Sequence, residues 1–115
     1  DTLLGTPLYL PPEVLEGGRY DRRSEVWALG CLAYEALTGR APFTGPGLRD
    51  LLRAIRAAKV SWPTAGLVTQ GTRSFVEAML DRLPDRRPTI DSIQRHCHPN
   101  TNSLTPSAAM ALLAE

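Results

Sequence analysis

The sequence predicts a mainly α-helical fold, and two patterns lead to that prediction. Apolar residues recur every three or four positions in several stretches, which is the period of an amphipathic helix. No stretch reads as a long strand, and glycines and prolines separate the helical stretches. At 115 residues with 43% hydrophobic side chains, the chain fits one small domain, or part of a larger one, with a core of its own.

The first elements are a loop and a short helical turn. Residues 1–13 have no period and carry glycine and proline at close intervals, so an extended loop is predicted. Residues 14–18 are predicted to form a helical turn. It ends at Gly17 and Gly18, because glycine accepts the left-handed conformation of a helix cap.

A central helix is predicted from Ser24, which is a good N-cap, to Thr38, with Gly39 as its end. Its apolar residues are Val26, Trp27, Leu29, Cys31, Leu32, Ala33, Ala36 and Leu37. These residues lie around almost the whole circumference, and a helix that is apolar on all sides is a buried helix. Such a helix needs neighbours on every side, and we expect this chain to leave one face of it exposed as an apolar patch that favours association.

The next element is an amphipathic helix over residues 48–58. Its apolar face holds Leu48, Leu51, Leu52 and Ile55, and another face holds Arg49, Arg53 and Arg56. No aromatic residues are interleaved with these arginines, so we expect a solvated face rather than a nucleic-acid site.

A further helix is predicted within residues 72–83, capped by Thr69 or Thr72 and ended by Pro84. Its apolar stripe consists of Phe75, Val76, Met79, Leu80 and Leu83. This helix and the helix at 48–58 are the predicted surfaces for protein partners.

The last helix opens at Pro88 and Thr89 and is followed by a tail. Ile90, Ile93 and Cys97 lie on one side of this helix. Residues 99–115 begin with Asn, Thr, Ser and Pro and are predicted to be a flexible tail.

Charge and cysteine content narrow the class of protein. The 13 lysines and arginines nearly balance the 12 acidic residues, and a net charge of +1 would not steer the chain strongly to nucleic acid or to a membrane surface. No stretch approaches the roughly 20 apolar residues of a membrane span. Cys31 and Cys97 are predicted to be reduced thiols. The predicted location is therefore intracellular, in the cytoplasm, with the nucleus left open.

A metal site is not predicted. His96, Cys97 and His98 are adjacent on a helix end and cannot all face one ion. No second Cys/His pair exists to complete a tetrahedral set.

Three stretches together resemble the C-terminal part of a eukaryotic-type serine/threonine protein kinase catalytic domain. They are Gly5 to Glu13, Ser24 to Gly30, and Pro84 to Thr89. In order and spacing they are similar to the end of the activation segment, the start of the buried central helix and the Pro-x-x-Arg-Pro-Thr stretch of that family. The resemblance covers residues 1–98 and implies an incomplete large lobe, mainly α-helical.

The resemblance implies that the first stretch is a substrate-docking loop. The loop residues are Gly5, Thr6, Pro7, Leu8 and Tyr9, and the closing triplet is Pro11-Pro12-Glu13 where the family has Ala-Pro-Glu. Prolines fix φ and lower the entropy of the loop, which suits a rigid trough for a peptide. Thr2 matches a position that is phosphorylated in several members of the family, so it is a candidate regulatory site.

The resemblance also implies two structural roles. Arg87 would form a buried, forked pair with Glu13, which locks both charge and geometry. Glu25 and Trp27 would anchor the catalytic loop, although the family has Asp in place of Glu25 and the longer side chain displaces the acceptor.

The implied function is that of a fragment of a protein serine/threonine kinase, a transferase. The complete enzyme would transfer a phosphoryl group from ATP, with Mg²⁺, to a protein substrate. The Gly-rich loop, His-Arg-Asp and Asp-Phe-Gly do not occur in this sequence, so no catalytic residue is expected in it and the chain alone is expected to bind neither ATP nor Mg²⁺. The chain opens on Asp1 rather than Met, as expected of a clipped or partial sequence. The alternative is a truncated kinase or pseudokinase that acts as a non-catalytic interaction module.

Overall fold

The computed structural model describes residues 9–63 and 68–97, and it consists of helices joined by loops. The helices are α1 (Pro12–Leu15), α2 (Arg22–Thr38), α3 (Leu48–Ala57), α4 (Gln70–Met79) and α5 (Ile90–Cys97), with a 3-10 turn at Pro84–Arg86. No strand occurs in the described ranges. The predicted mainly α fold is therefore confirmed.

Helix α1 begins two residues before its predicted start. Pro12 occupies the first helical position, where a missing N–H is tolerated and the fixed φ suits a helix. Gly17 follows with φ of 93°, in the left-handed region predicted for the end of this turn.

Helix α2 is capped by Asp21, so the prediction of Ser24 as its N-cap is wrong. The Asp21 carboxylate accepts a hydrogen bond from the Arg23 amide at 2.9 Å, and the Asp21 amide donates to the Ser24 hydroxyl at 3.1 Å. Ser24 is thus the third residue of the helix and completes a capping box. The predicted end is confirmed, since Gly39 takes a left-handed φ of 80°.

The core forms where α2 packs against α4. Gly30 allows this close approach, since a Cβ built on it would lie 2.9 Å from both Met79 Cβ and Leu80 Cδ2. The buried apolar residues are Val26, Trp27, Cys31, Ala33, Tyr34, Phe43, Ile55, Val76, Met79, Leu80 and Ile93. Every described helix longer than one turn contributes to this set.

One side of α2 has no neighbour in the described part of the chain, which agrees with the expected exposed face. Leu32 is 41% exposed and Ala36 is exposed as well. A shallow groove of about 270 Å³ runs along this side. Its lining residues are Tyr20, Glu25, Ala28, Leu29, Leu32 and Ile90. Part of the apolar surface of α2 is therefore not packed against other described residues.

The shorter helices lie close to their predicted positions. In α3, Ile55 is fully buried and the three arginines are exposed, as the amphipathic pattern predicts. Thr69 caps α4 by accepting a hydrogen bond from the Thr72 amide at 3.2 Å. The prediction that Leu83 extends the α4 stripe is wrong, because α4 ends at Met79 and Leu83 is 41% exposed.

No helix in the described ranges combines the length and the hydropathy needed to span a membrane.

Candidate functional site

Glu13 and Arg87 lie far apart in the sequence and meet as a forked ion pair. Arg87 Nη2 donates to Glu13 Oε1 at 2.8 Å, and Arg87 Nη1 donates to Glu13 Oε2 at 2.9 Å. The Arg87 side chain is completely buried. Two parallel charge-assisted bonds fix the relative orientation of α1 and the segment after the 3-10 turn.

The remaining donors of Arg87 are satisfied by the backbone. Nε donates to the Asp81 carbonyl at 2.8 Å, and Nη1 also donates to the Arg23 carbonyl at 2.8 Å. The guanidinium carbon lies 5.1 Å from the centre of the Trp27 ring, within the range of a cation–π contact. Arg87 therefore joins α1, the start of α2 and the segment after α4.

The surroundings of Glu13 favour its ionised form. Burial alone would raise the pKa of its carboxyl, but the hydrogen bonds and the charge of Arg87 outweigh burial and hold the pKa below its ordinary value. The Ser24 hydroxyl adds a hydrogen bond to Glu13 Oε2 at 3.2 Å. The ion pair is thus linked to the cap of α2.

The candidate docking loop is described only at Tyr9. The Tyr9 hydroxyl donates a hydrogen bond to Glu35 Oε1 on α2. Burial and the Glu35 carboxylate raise the pKa of Tyr9, so the phenol stays protonated. Residues 5–8 and the candidate phosphosite Thr2 lie outside the described residues.

The structure does not bring Glu25 and Trp27 together. Trp27 is fully buried and stacks on Phe43, with ring centroids 5.3 Å apart. Its Nε1 has no hydrogen-bond partner among the described residues. Glu25 is exposed and faces Tyr20, where burial and the nearby carboxylate raise the pKa of the Tyr20 phenol.

Exposed ion pairs lie beside the buried pair. Arg23 bonds to Asp21 at 3.1 Å and also to Asp85 on the 3-10 turn. A cleft of about 360 Å³ opens next to these groups, between the start of α2 and the start of α5. Exposed ion pairs of this kind add little stability. The buried Arg87 is therefore the main link between α1, the start of α2 and the segment after α4.

Sequence reasoning missed two of the residues that shape this site. Asp21 carried a detectable signal, because Asp followed three residues later by Ser matches a capping pair. Glu35 carried none, since it stands within an apolar stretch and only the fold brings it to Tyr9.

No cluster of metal-binding side chains occurs in residues 9–63 and 68–96. His96 stacks on Phe75 instead, with ring centroids 3.8 Å apart, and His98 lies outside the described residues.

Comparison with known proteins gives one consistent result. The family model described as "Protein kinase domain" matches residues 1–98. The chain is 38% identical over 98 residues to serine/threonine-protein kinase fused of Drosophila melanogaster. The match covers 85% of this chain and 12% of that protein. It is 40% identical over 95 residues to serine/threonine-protein kinase PLK2 of Mus musculus, covering 83% of this chain and 14% of that protein. Serine/threonine-protein kinase ATG1 of Beauveria bassiana (strain ARSEF 2860) is 38% identical over 98 residues, and the match covers 84% of this chain and 10% of that protein. The chain thus spans 10–14% of the length of these relatives.

Proposed function

Because this chain belongs to the protein kinase domain family, we propose that it supplies the peptide-docking loop and the helical base of the large lobe of a serine/threonine protein kinase. The complete enzyme would transfer a phosphoryl group from ATP to a serine or threonine hydroxyl of a protein. The helices described above would form the base on which the docking loop is held.

The forked pair between Glu13 and Arg87 is the observation that carries this proposal. It fastens Glu13, which follows the loop, to a buried guanidinium with two hydrogen bonds, and two further bonds hold that guanidinium to the Asp81 and Arg23 carbonyls. A loop that must present a peptide in one orientation needs rigid support, because small displacements of a substrate slow a reaction strongly. Arg87 would provide that support through its pair with Glu13.

The last residue of the loop, Tyr9, has its own attachment. Tyr9 stands four residues before Glu13, and its hydroxyl bonds to Glu35 on α2. Residues 5–9 would therefore lead into a segment that is held at both Tyr9 and Glu13. Thr2, just before this loop, is the proposed phosphorylation site, where a phosphate would order the segment through basic partners.

Chemistry at the phosphate would come from groups outside this sequence. The Gly-rich loop, the paired lysine, the catalytic aspartate and the Mg²⁺-binding Asp-Phe-Gly are the parts that transfer needs, and none of these motifs stands in the 115 residues. The chain alone is proposed to bind no nucleotide. Calorimetric titration with ATP and Mg²⁺ checks this, and a saturable heat would overturn it.

A chimera tests the docking role. Residues 1–98 replace the matching segment of the mouse relative, and phosphorylation of a serine peptide by the purified chimera is measured. We expect activity above that of a chimera that also carries Arg87→Met, with at least a tenfold difference. Loss of activity in both proteins, with both folded by circular dichroism, would contradict the proposal.

Glu25 favours a second candidate, a non-catalytic interaction module. The resemblance places Asp at this position, and the longer side chain of Glu displaces the carboxylate that would hold a catalytic loop. Glu25→Asp in the chimera separates the two candidates. A several-fold gain in turnover supports the enzyme, whereas an inactive chimera that still binds the peptide supports the module.

A further inference from the structure

We propose that the exposed arginines of α3 form a docking face for an acidic segment of a protein partner. This face, called the arginine face, consists of Arg49, Arg53 and Arg56. The proposal rests on the proposed function, because it names the chemistry of a partner that a protein kinase would recognise beyond its docking loop.

The arginine face is a narrow stripe on one side of α3. Spacings of four and three residues place the three side chains within about 60° of the helix circumference and along about 10 Å of its length. All three side chains are exposed. Ile55 is fully buried, so the stripe has a fixed direction relative to the core.

The positive charge of the face is hardly neutralised within the fold. The nearest acid is Asp50, whose Oδ1 lies 4.0 Å from Arg53 Nη1, at the limit of an ion pair. No ion pair or hydrogen bond joins Arg49 or Arg56 to another side chain in the described part of the chain. The face therefore presents close to three positive charges to solvent.

This placement opposes the stability of the helix. Arg49 and Arg53 are like charges four residues apart, which repel each other. Arg49 also lies in the first turn of α3, where the helix dipole disfavours a cation. An anionic partner would remove both penalties, so charge complementarity favours an acidic occupant.

An exposed apolar side chain at the start of α3, about a quarter turn from the stripe, favours a protein over nucleic acid. Leu48 is 42% exposed and begins the same helix. An acidic peptide with one apolar residue would contact both groups, whereas a phosphate backbone would leave Leu48 unused. The net charge of +1 and the absence of aromatic residues on α3 also argue against nucleic acid.

Fluorescence anisotropy with a defined probe tests the proposal. The probe is a fluorescein-labelled peptide of glutamates around one leucine, titrated with the 115-residue chain at low and at physiological salt. The triple reversal Arg49→Glu, Arg53→Glu and Arg56→Glu is expected to weaken binding about tenfold or more. Replacing the same three residues by Lys keeps the charge and is expected to retain most of the affinity.

A matched control carries the same change in net charge elsewhere. It reverses Arg82, Arg86 and Arg95 to Glu, three exposed arginines outside α3. We expect this control to bind the probe within about twofold of the unchanged chain. Equal weakening by both triple variants, or tighter binding of a single-stranded oligonucleotide than of the peptide, overturns the proposal. Circular dichroism confirms that each variant is folded. The measurement contains no ATP and no catalysis, so its failure leaves the chimera test of the proposed function intact.

Discussion

Arg87 is fully buried, and its guanidinium is bonded to two carboxylate oxygens and two backbone carbonyls. Arg87→Met keeps much of the side-chain volume but leaves Glu13 and both carbonyls without their donor. We expect a loss of about 3 kcal/mol in the free energy of unfolding, measured by urea denaturation. The neighbouring exposed Arg86→Met is the control and should change stability by less than about 0.5 kcal/mol. Similar effects of the two substitutions would contradict the structural role of the pair.

The lowered pKa of Glu13 makes stability depend on pH. The group is more acidic in the folded chain than its ordinary value of 4.5, so its contribution is complete above that pH. The contribution is lost as the pH falls from 4.5 through the lower folded pKa. Thermal melting across this acidic range should show a steep fall for the unchanged chain and a shallower one for Glu13→Gln. Parallel curves would contradict this assignment.

At the level of single residues, the sequence predicts which side chains form the ion pair better than it predicts the other contacts around that pair. Glu13 and Arg87 can be named as a pair because each stands in a motif that resembles one of the protein kinase family, and the resemblance implies the pairing. The contact of Arg87 with Trp27 and the bond from Ser24 to Glu13 cannot be named in this way. Both depend on how the start of α2 is placed against the pair, and no local pattern encodes that placement.

The close packing of α2 on α4 makes a prediction at the level of elements. Gly30→Ala adds a Cβ that would lie 2.9 Å from Met79 and Leu80, so the helices must shift. The gain in helix propensity, about 1 kcal/mol, is expected to be smaller than the energetic cost of overpacking. The net loss in the free energy of unfolding should be about 1–2 kcal/mol. Chemical denaturation measures it.

Gly71→Ala in α4 is the matched control for that substitution. A Cβ at Gly71 meets nothing within 4 Å, so only the propensity term remains and stability should rise slightly. If Gly30→Ala is also stabilising, the helices are not as close as described.

The helices themselves are predictable from period, whereas their ends follow from particular side chains. Asp21 and Ser24 are both good caps for α2, and reading them together as a capping pair places the start of the helix after Asp21. The spacing of Leu83 fits the apolar stripe of α4 and so predicts a longer helix. The chain leaves the helix at Leu80, before Pro84 takes effect, so Leu83 turns to the surface.

The whole molecule carries an apolar face on α2 that the described part of the chain does not cover. We expect the 115-residue chain to self-associate through this face, since a contiguous apolar patch favours association. Light scattering after size-exclusion chromatography measures it. Leu32→Lys should shift the chain toward monomer.

Leu83→Lys is the control for association, because Leu83 is equally exposed, at 41%, but lies away from the face. It should leave the oligomeric state unchanged. A chain that is monomeric at every concentration would contradict the prediction.

At the scale of the molecule, the sequence identifies the family and the helical class, and both are confirmed. It does not indicate which side of α2 lacks a neighbour. The apolar residues surround the helix evenly, so periodicity gives no direction. Only the positions of α4 and α5 distinguish the covered side from the open one.

The pair between Glu13 and Arg87 joins residues 74 positions apart, and this separation affects the order of folding. Contacts between distant residues form slowly, because a long loop must close before they stabilise the chain. During synthesis from the N-terminus, Glu13 would leave the ribosome long before Arg87. The segment that carries the candidate docking loop would therefore remain unfastened until nearly all of the helical base has been made.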